Sequence, residues 1–193
     1  MDAFKAFASC KNLELAWKRI RTGQNIPYKR FFREIYDAFD ISSKDNIHRL
    51  SLNIKNGTYK PGKIERIFLP KKSGLQRPIT LLNIEDQIVL QGIANIYARK
   101  LFQRRVAVES KVVCSNRLNR NKKLKFFLKR WQKNYNLFQK RKRKIFNDGN
   151  HYVAEFDLAS FYDTISHDQL IKVFAPRRGN PSFCNRVKSC IKE

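Results

Sequence analysis

Residues 151–170, HYVAEFDLASFYDTISHDQL, set an aspartate at the end of an apolar run and two aromatics just beyond it. Strand periodicity puts Tyr152, Ala154 and Phe156 on one face and Val153, Glu155 and Asp157 on the other. A carboxylate at a strand's exit can face a cleft. With Phe161 and Tyr162 four and five positions beyond Asp157, the arrangement suits a metal held beside a nucleotide, since hard cations such as Mg²⁺ take carboxylates and substrate phosphates as ligands. Asp163 comes next, and Ser166 with Gln169 three residues later reads as a capping box opening a short helix through Leu170, Ile171 and Phe174. The segment is thus expected to run strand, tight connection, helix. A plainer reading of the same residues has Asp157 capping a loop and Phe161 and Tyr162 in a core.

Residues 64–82, IERIFLPKKSGLQRPITLL, read as two strands, 64–69 and 77–82, joined by a polar turn around Lys71, Lys72, Ser73 and Gly74. This is a β-hairpin with a basic tip. Lysine offers phosphate a flexible point charge and arginine a planar fork, although lysines also simply keep an exposed tip soluble. After the hairpin, Asn83 can cap a helix whose first turn holds Glu85 and Asp86, favourable beside the positive helix terminus. Val89, Ile93, Ile96 and Tyr97 then share one helical face.

Together these segments resemble bacterial reverse transcriptases, the group II intron, retron and defence-associated relatives. Asp157-Leu158-Ala159-Ser160-Phe161-Tyr162-Asp163, followed by Ile165, His167 and Leu170, is similar to the first catalytic motif of that family. The Pro70-Lys71 pair, the glycine turn and the Arg77-Pro78 pair resemble its fingers hairpin, and Ile84-Glu85-Asp86-Gln87-Ile88-Val89 resembles the helix start that follows. The resemblance implies that Asp157 binds the catalytic Mg²⁺ ions and that Leu158 offers its backbone carbonyl to one of them. It implies that Tyr162 packs under the incoming sugar and excludes a 2′-hydroxyl. Lys71 and Arg77 would hold the triphosphate, with Lys72 able to replace Lys71, and Gln91 would sit nearer the template. The implied reaction is in-line attack of a primer 3′-hydroxyl on a deoxynucleoside triphosphate, assisted by two metals. Its partners would be an RNA template and a DNA primer, or an RNA–DNA hybrid.

The family completes its metal site with an aromatic-x-Asp-Asp hairpin, and no adjacent Asp-Asp pair occurs in the 193 residues. Glu155 and Asp163 are structural or supporting groups in that family. The chain is therefore expected to be the amino-terminal portion of a polymerase, inactive as a fragment. Its expected fold class is α+β, a partial right hand: helical fingers with the β-hairpin over residues 1–110, a basic helical insertion over 111–150, and an incomplete palm over 151–193. The family's Tyr-Gly-Phe-Arg-like segment is replaced here by ESKVVCSNRL at residues 109–118, a departure that leans toward a divergent, phage-defence lineage. Two alternatives stay open: a non-catalytic nucleic-acid-binding protein derived from a polymerase, and one half of a split enzyme whose second chain supplies the Asp-Asp pair.

Charge agrees with a nucleic-acid partner. The 41 Lys plus Arg against 16 Asp plus Glu give a formal net charge of +25, which attracts a phosphate backbone and makes binding salt-dependent. With 42% hydrophobic residues and 15 Phe the chain can still bury a core, which excludes a disordered basic tail. Phe4, Phe7, Leu13, Trp17 and Ile20 recur at helical spacing up to Thr22-Gly23; a second helix is expected from about Pro27 with Phe31, Phe32, Ile35, Tyr36 and Phe39 inside. Ser42 and Asp45 can open a third helix carrying Ile47, Leu50 and Ile54 and stopping near Gly57.

Leu124, Phe127, Leu128, Trp131, Tyr135 and Phe138 predict a further helix of about 20 residues with one apolar stripe. Its other face carries Lys122, Lys123, Lys125, Lys129, Arg130 and Lys133, then the run 140–144; it can track a template backbone or stay a solvated surface. Cys10, Cys114, Cys184 and Cys190 have no Cys-x-x-Cys spacing, and His48, His151 and His167 do not pair with them in a zinc pattern. No apolar run is long enough for a membrane span and the start carries no signal peptide, so a cytoplasmic protein with reduced thiols is expected.

Overall fold

The computed structural model describes residues 3–22, 29, 32–119, 121, 123–158, 161–166 and 168–169, with the side chains of 99–111, 162 and 163 outside that description. The fold is mixed α+β. Its described elements are α1 (Ala3–Phe7), α2 (Cys10–Ile20), α3 (Arg33–Ile41), α4 (Ser43–Asn56), β1 (Glu65–Pro70), β2 (Gln76–Leu81), α5 (Ile84–Val112), α6 (Trp131–Asn147) and α7 (Phe161–Thr164). Two compact units divide at Tyr97 and Ala98, inside α5.

The first expected helix is two. Ser9 has extended backbone angles, its Oγ accepts the Asn12 N–H at 3.3 Å, and its hydroxyl donates to the Ala6 carbonyl at 2.8 Å. A serine placed this way caps a new helix instead of continuing the old one. Several aromatics of this unit are core, although Phe68 is exposed. Phe7, Trp17 and Tyr36 are buried, and the indole of Trp17 meets Tyr36 edge-on at 5.5 Å and Phe39 at 4.7 Å. Trp17 Nε1 donates to Asp40 Oδ1 at 2.8 Å, so the one polar atom of the indole is satisfied. Pro27 and Phe31 lie outside the described residues; α3 starts at Arg33, and Ile35, expected inside, is exposed.

α4 buries Ile47, Leu50 and Ile54, as their spacing predicts, and stops where Gly57 turns left-handed at φ 74°. A buried polar network ties α2 to α5. Asn12 Nδ2 donates to the Phe7 and Gly92 carbonyls at 3.0 and 3.1 Å, Asn95 Nδ2 donates to Asn12 Oδ1 at 3.1 Å, and Arg19 donates to Asn95 Oδ1 at 2.5 Å. Such a network fixes one register between two helices because any slip leaves buried amides unbonded. Around it Ile84, Ile88, Val89, Ile93 and Tyr97 of α5 are buried, while Ile96 is half-buried. At the far end of α2, the Lys29 ammonium donates to the Ile20 and Thr22 carbonyls at 2.5 and 2.6 Å. Its burial pushes the ammonium's pKa below the ordinary lysine value.

In the second unit the apolar stripe starting at Leu124 is not one helix. Leu118 and Leu128 form an antiparallel bridge, with the Asn119 N–H on the Phe127 carbonyl at 2.9 Å and the Lys129 N–H on the Arg117 carbonyl at 2.8 Å. The chain around Leu118 and that around Leu128 therefore pair back on each other, and the helix begins only at Trp131. It then runs on through the basic run to Asn147. The strand expected at 152–157 is also absent: residues 151–158 have no ladder partner among the described residues and are exposed throughout. Alternation alone does not make a strand, since the backbone N–H and C=O groups need a neighbouring chain to pair with.

Candidate nucleotide and nucleic-acid sites

The hairpin forms close to where its sequence puts it. β1 and β2 pair antiparallel from Glu65↔Leu81 to Pro70↔Gln76, and the alternation sets Ile67, Leu69, Ile79 and Leu81 on a half-buried face. The turn is closed by the Lys71 N–H on the Leu75 carbonyl at 2.7 Å and the Gly74 N–H on the Lys71 carbonyl at 3.1 Å. Gly74 takes φ 80°, a conformation that favours glycine. Arg77 pairs with Leu69, two residues before Lys71, so both cations stand at one end of the hairpin. Lys71, Lys72 and Arg77 are exposed, and none is ion-paired among the described residues. Two lysines and an arginine around a tight turn can meet the oxygens of a polyphosphate.

The root of the hairpin is fixed by Asp86, which sequence reasoning assigned to the helix start and not to the hairpin. This buried carboxylate accepts the Tyr59 hydroxyl at 2.5 Å and the Gly62 N–H at 3.0 Å, and its own N–H donates to Asn83 Oδ1 at 2.7 Å. Asn83 therefore caps α5 as its type predicts. Gly62 sits so close to this cap that a Cβ there would lie 2.0 Å from Asn83 Nδ2. A hollow of about 320 Å³ lined by Phe32, Ile79, Thr80, Leu82 and Gln87 opens beside the same root. Gln87 is held by the Tyr36 hydroxyl donating to its Oε1 at 2.6 Å and by its own Nε2 on the Leu82 carbonyl at 2.7 Å. Gln91, expected nearer a template, has its Nε2 on Asn95 Oδ1 at 2.9 Å.

In the second unit, Asp157 is exposed and its Oδ1 accepts the N–H of the next residue, Leu158, at 2.9 Å. Leu158 is exposed as well. Tyr162 falls in α7, and its side chain lies outside the described residues, as does that of Asp163. The Gln169 N–H reaches Ser166 Oγ at 3.4 Å, the backbone half of the capping box, while Leu170, Ile171 and Phe174 lie outside the described residues. The donor set does not by itself fit a metal centre. A Mg²⁺ pair asks for more than one carboxylate, and among the described residues no three His, Cys, Asp or Glu side chains converge.

A second surface in this unit was only half legible. α6 packs through polar groups: Asn134 is buried with its Nδ2 on the Ser115 carbonyl at 2.8 Å, and Arg141 lies 3.7 Å from Cys114 Sγ. Its aromatics are left open. Between the carboxyl half of α6 and residues 150–155 lies a cleft of about 960 Å³, lined by Tyr135, Phe138, Lys142, Arg143, Phe146 and Tyr152 among others.

In the first unit, Cys10 Sγ lies 3.9 Å from His48 Nδ1, a contact that a separation of 38 residues hides in the sequence. Both Cys10 and Cys114 are free thiols. Among the described residues no helix is long and apolar enough to cross a membrane. Comparison of the chain with protein-family models and with curated proteins finds no match.

Proposed function

We propose that this chain is the amino-terminal portion of an RNA-directed DNA polymerase, with the hairpin Lys71 and Arg77 as the grip on the triphosphate of an incoming deoxynucleotide. The observation that carries the reading is the hairpin itself: two exposed cations, without an ion pair among the described residues, at one end of an antiparallel ladder, followed by a capped helix whose Asp86 anchors the hairpin root. Asp157 is the side chain assigned to Mg²⁺, with the Leu158 carbonyl beside it, and Tyr162 to the sugar. The remaining carboxylates of a two-metal site belong to parts of the enzyme other than these residues, and the defence-associated lineage is the branch that the altered segment 109–118 favours.

The test is primer extension on an RNA template by the product of the native gene, with a DNA primer, deoxynucleoside triphosphates and Mg²⁺. Asp157→Ala is expected to abolish extension. Lys71→Ala or Arg77→Ala is expected to raise the KM for the nucleotide about tenfold to a hundredfold, because a hydrogen bond to a charged group contributes about 1.5–3 kcal/mol. Extension that survives Asp157→Ala would overturn the proposal.

A second reading, a non-catalytic nucleic-acid-binding protein of polymerase descent, is favoured by one observation. Lys133, Lys140, Lys142, Arg143 and Lys144 of α6 are exposed and take part in no ion pair among the described residues. It predicts binding without extension by the native product.

A further inference from the structure

We infer that the cleft between α6 and residues 150–155 is a seat for single-stranded nucleic acid, in which bases stack on the rings of α6 while its cations meet the phosphates. The inference rests on nucleic acid being the partner, which both readings above share, and it needs no polymerase chemistry.

Spacing is the first ground. Trp131, Tyr135, Phe138, Lys142 and Phe146 follow one another at steps of four, three, four and four, so they share one face of the helix. In a helix that serves only to pack, such a stripe turns to the core. Here it does not: Trp131 is 53% exposed, Tyr135 47%, Phe138 45% and Phe146 57%. The rings are nonetheless ordered against one another. Trp131 meets Tyr135 at 5.8 Å, Tyr135 meets Phe138 at 6.3 Å, and Phe146 meets His151 edge-on at 4.9 Å. From Tyr135 to Phe146 the ladder rises about 16 Å at 1.5 Å per residue, the length of a few nucleotides.

Charge is the second ground, and it selects the occupant. Lys142 interrupts the aromatic stripe itself, Arg143 follows it, and Lys140 and Lys144 flank them, while Glu155 is the one carboxylate lining the cleft. An apolar protein surface docking here would have to desolvate those cations with a single carboxylate, Glu155, in the lining to offset them. A single strand supplies a phosphate for each and an unpaired base face for each ring, whereas a duplex keeps its bases stacked within itself.

The measurement is fluorescence anisotropy of labelled 12-nucleotide single strands of mixed sequence, RNA and DNA, titrated with the whole chain, alongside its tryptophan emission. Trp17 is buried in the other unit, so a strand in the cleft is expected to quench Trp131. Phe138→Ala with Phe146→Ala is expected to weaken binding at least tenfold, and Phe138→Tyr with Phe146→Tyr to restore it, far-ultraviolet circular dichroism confirming that each variant is folded. Lys142→Gln with Arg143→Gln is expected to flatten the salt dependence by about 1.4 in log–log slope, at about 0.7 per lost phosphate contact. Lys44→Gln with Lys55→Gln, the same charge removed from α4, is expected to leave binding unchanged. Binding that ignores the alanine pair, or a duplex that competes as well as a single strand, would overturn the assignment of the cleft but not of nucleic acid as partner. No binding of any strand would overturn both. A chain that sediments as a dimer, and as a monomer once Phe138 and Phe146 are alanine, would instead make this face a protein interface and sink the inference.

Discussion

A single carboxylate decides whether the basic hairpin is held or loose. Asp86 is buried and satisfies two groups from the segment leading into β1, the Tyr59 hydroxyl and the Gly62 N–H. Removing it leaves both donors without their acceptor in a half-buried place, and a hydrogen bond to a charged group contributes about 1.5–3 kcal/mol. Asp86→Ala is therefore expected to lower unfolding free energy by about 2–4 kcal/mol, read from the urea midpoint at an unchanged slope. A shift below about half a kcal/mol would mean that the root is held by the ladder and not by this residue. The sequence marked Asp86 as a helix-start residue, which is correct as far as it goes. Its reach back across 24 residues to Gly62 has no local signature, because a long-range polar contact leaves no period in the chain.

At the scale of elements, α2 and α5 approach closely at Gly92. A Cβ on Gly92 would stand 3.2 Å from both Asn12 Nδ2 and Leu13 Cδ2 and 3.4 Å from Phe7 Cε2, so only a minimal residue lets the helices approach. Gly92→Leu is expected to cost about 1–3 kcal/mol by overpacking and to lower Tm by several degrees, measured by thermal melting followed at 222 nm. An unchanged Tm would show that the helices can move apart without loss. Which elements were legible follows the same division between local and distant causes. α4 with its Gly57 stop, the hairpin with its Gly74 turn and the Asn83 cap of α5 were readable because capping and turn chemistry act within a few residues. The break at Ser9 was readable too, had the serine been weighed as a cap against the helical spacing of Phe4, Phe7 and Leu13. The helix placed from Leu124 failed because its first residues fold back on Leu118 instead, a choice set by a partner ten residues away. The strand placed at 152–157 failed for the same physical reason: a strand is a property of two chain segments, and alternation reports on only one. The candidate residues divide accordingly, Arg77 standing on a formed ladder and Lys71 in the turn that closes it, while Asp157 and Leu158 stand on an exposed stretch with no ladder partner among the described residues.

For the whole molecule, the excess of 41 basic over 16 acidic side chains acts on folding and on binding with opposite signs. Like charges repel within the folded chain, and in the first unit the ion pairs of Arg21 with Asp37 and Asp40 and of Arg49 with Glu85 relieve part of this. Salt shortens the range of that repulsion to below about 8 Å once it exceeds physiological strength, so added salt stabilises the fold. The same salt competes for phosphates. About four strand contacts at about 0.7 each give a log–log slope near −3, hence roughly a fiftyfold loss of affinity between about 50 and about 200 mM salt. The expected outcome is a urea midpoint that rises over the range in which single-strand affinity collapses, measured on one preparation by circular dichroism and by anisotropy. A nucleic-acid ligand should reproduce the stabilisation at low salt, because a polyanion bound to the folded chain screens its cations and adds its own binding free energy to the native state. If instead the midpoint falls as salt rises, attractive ion pairs outweigh repulsion in the fold, and the net charge has no bearing on its stability beyond binding. If the midpoint rises but affinity holds, the strand is gripped by its bases alone and the cations of α6 are only a solvated face.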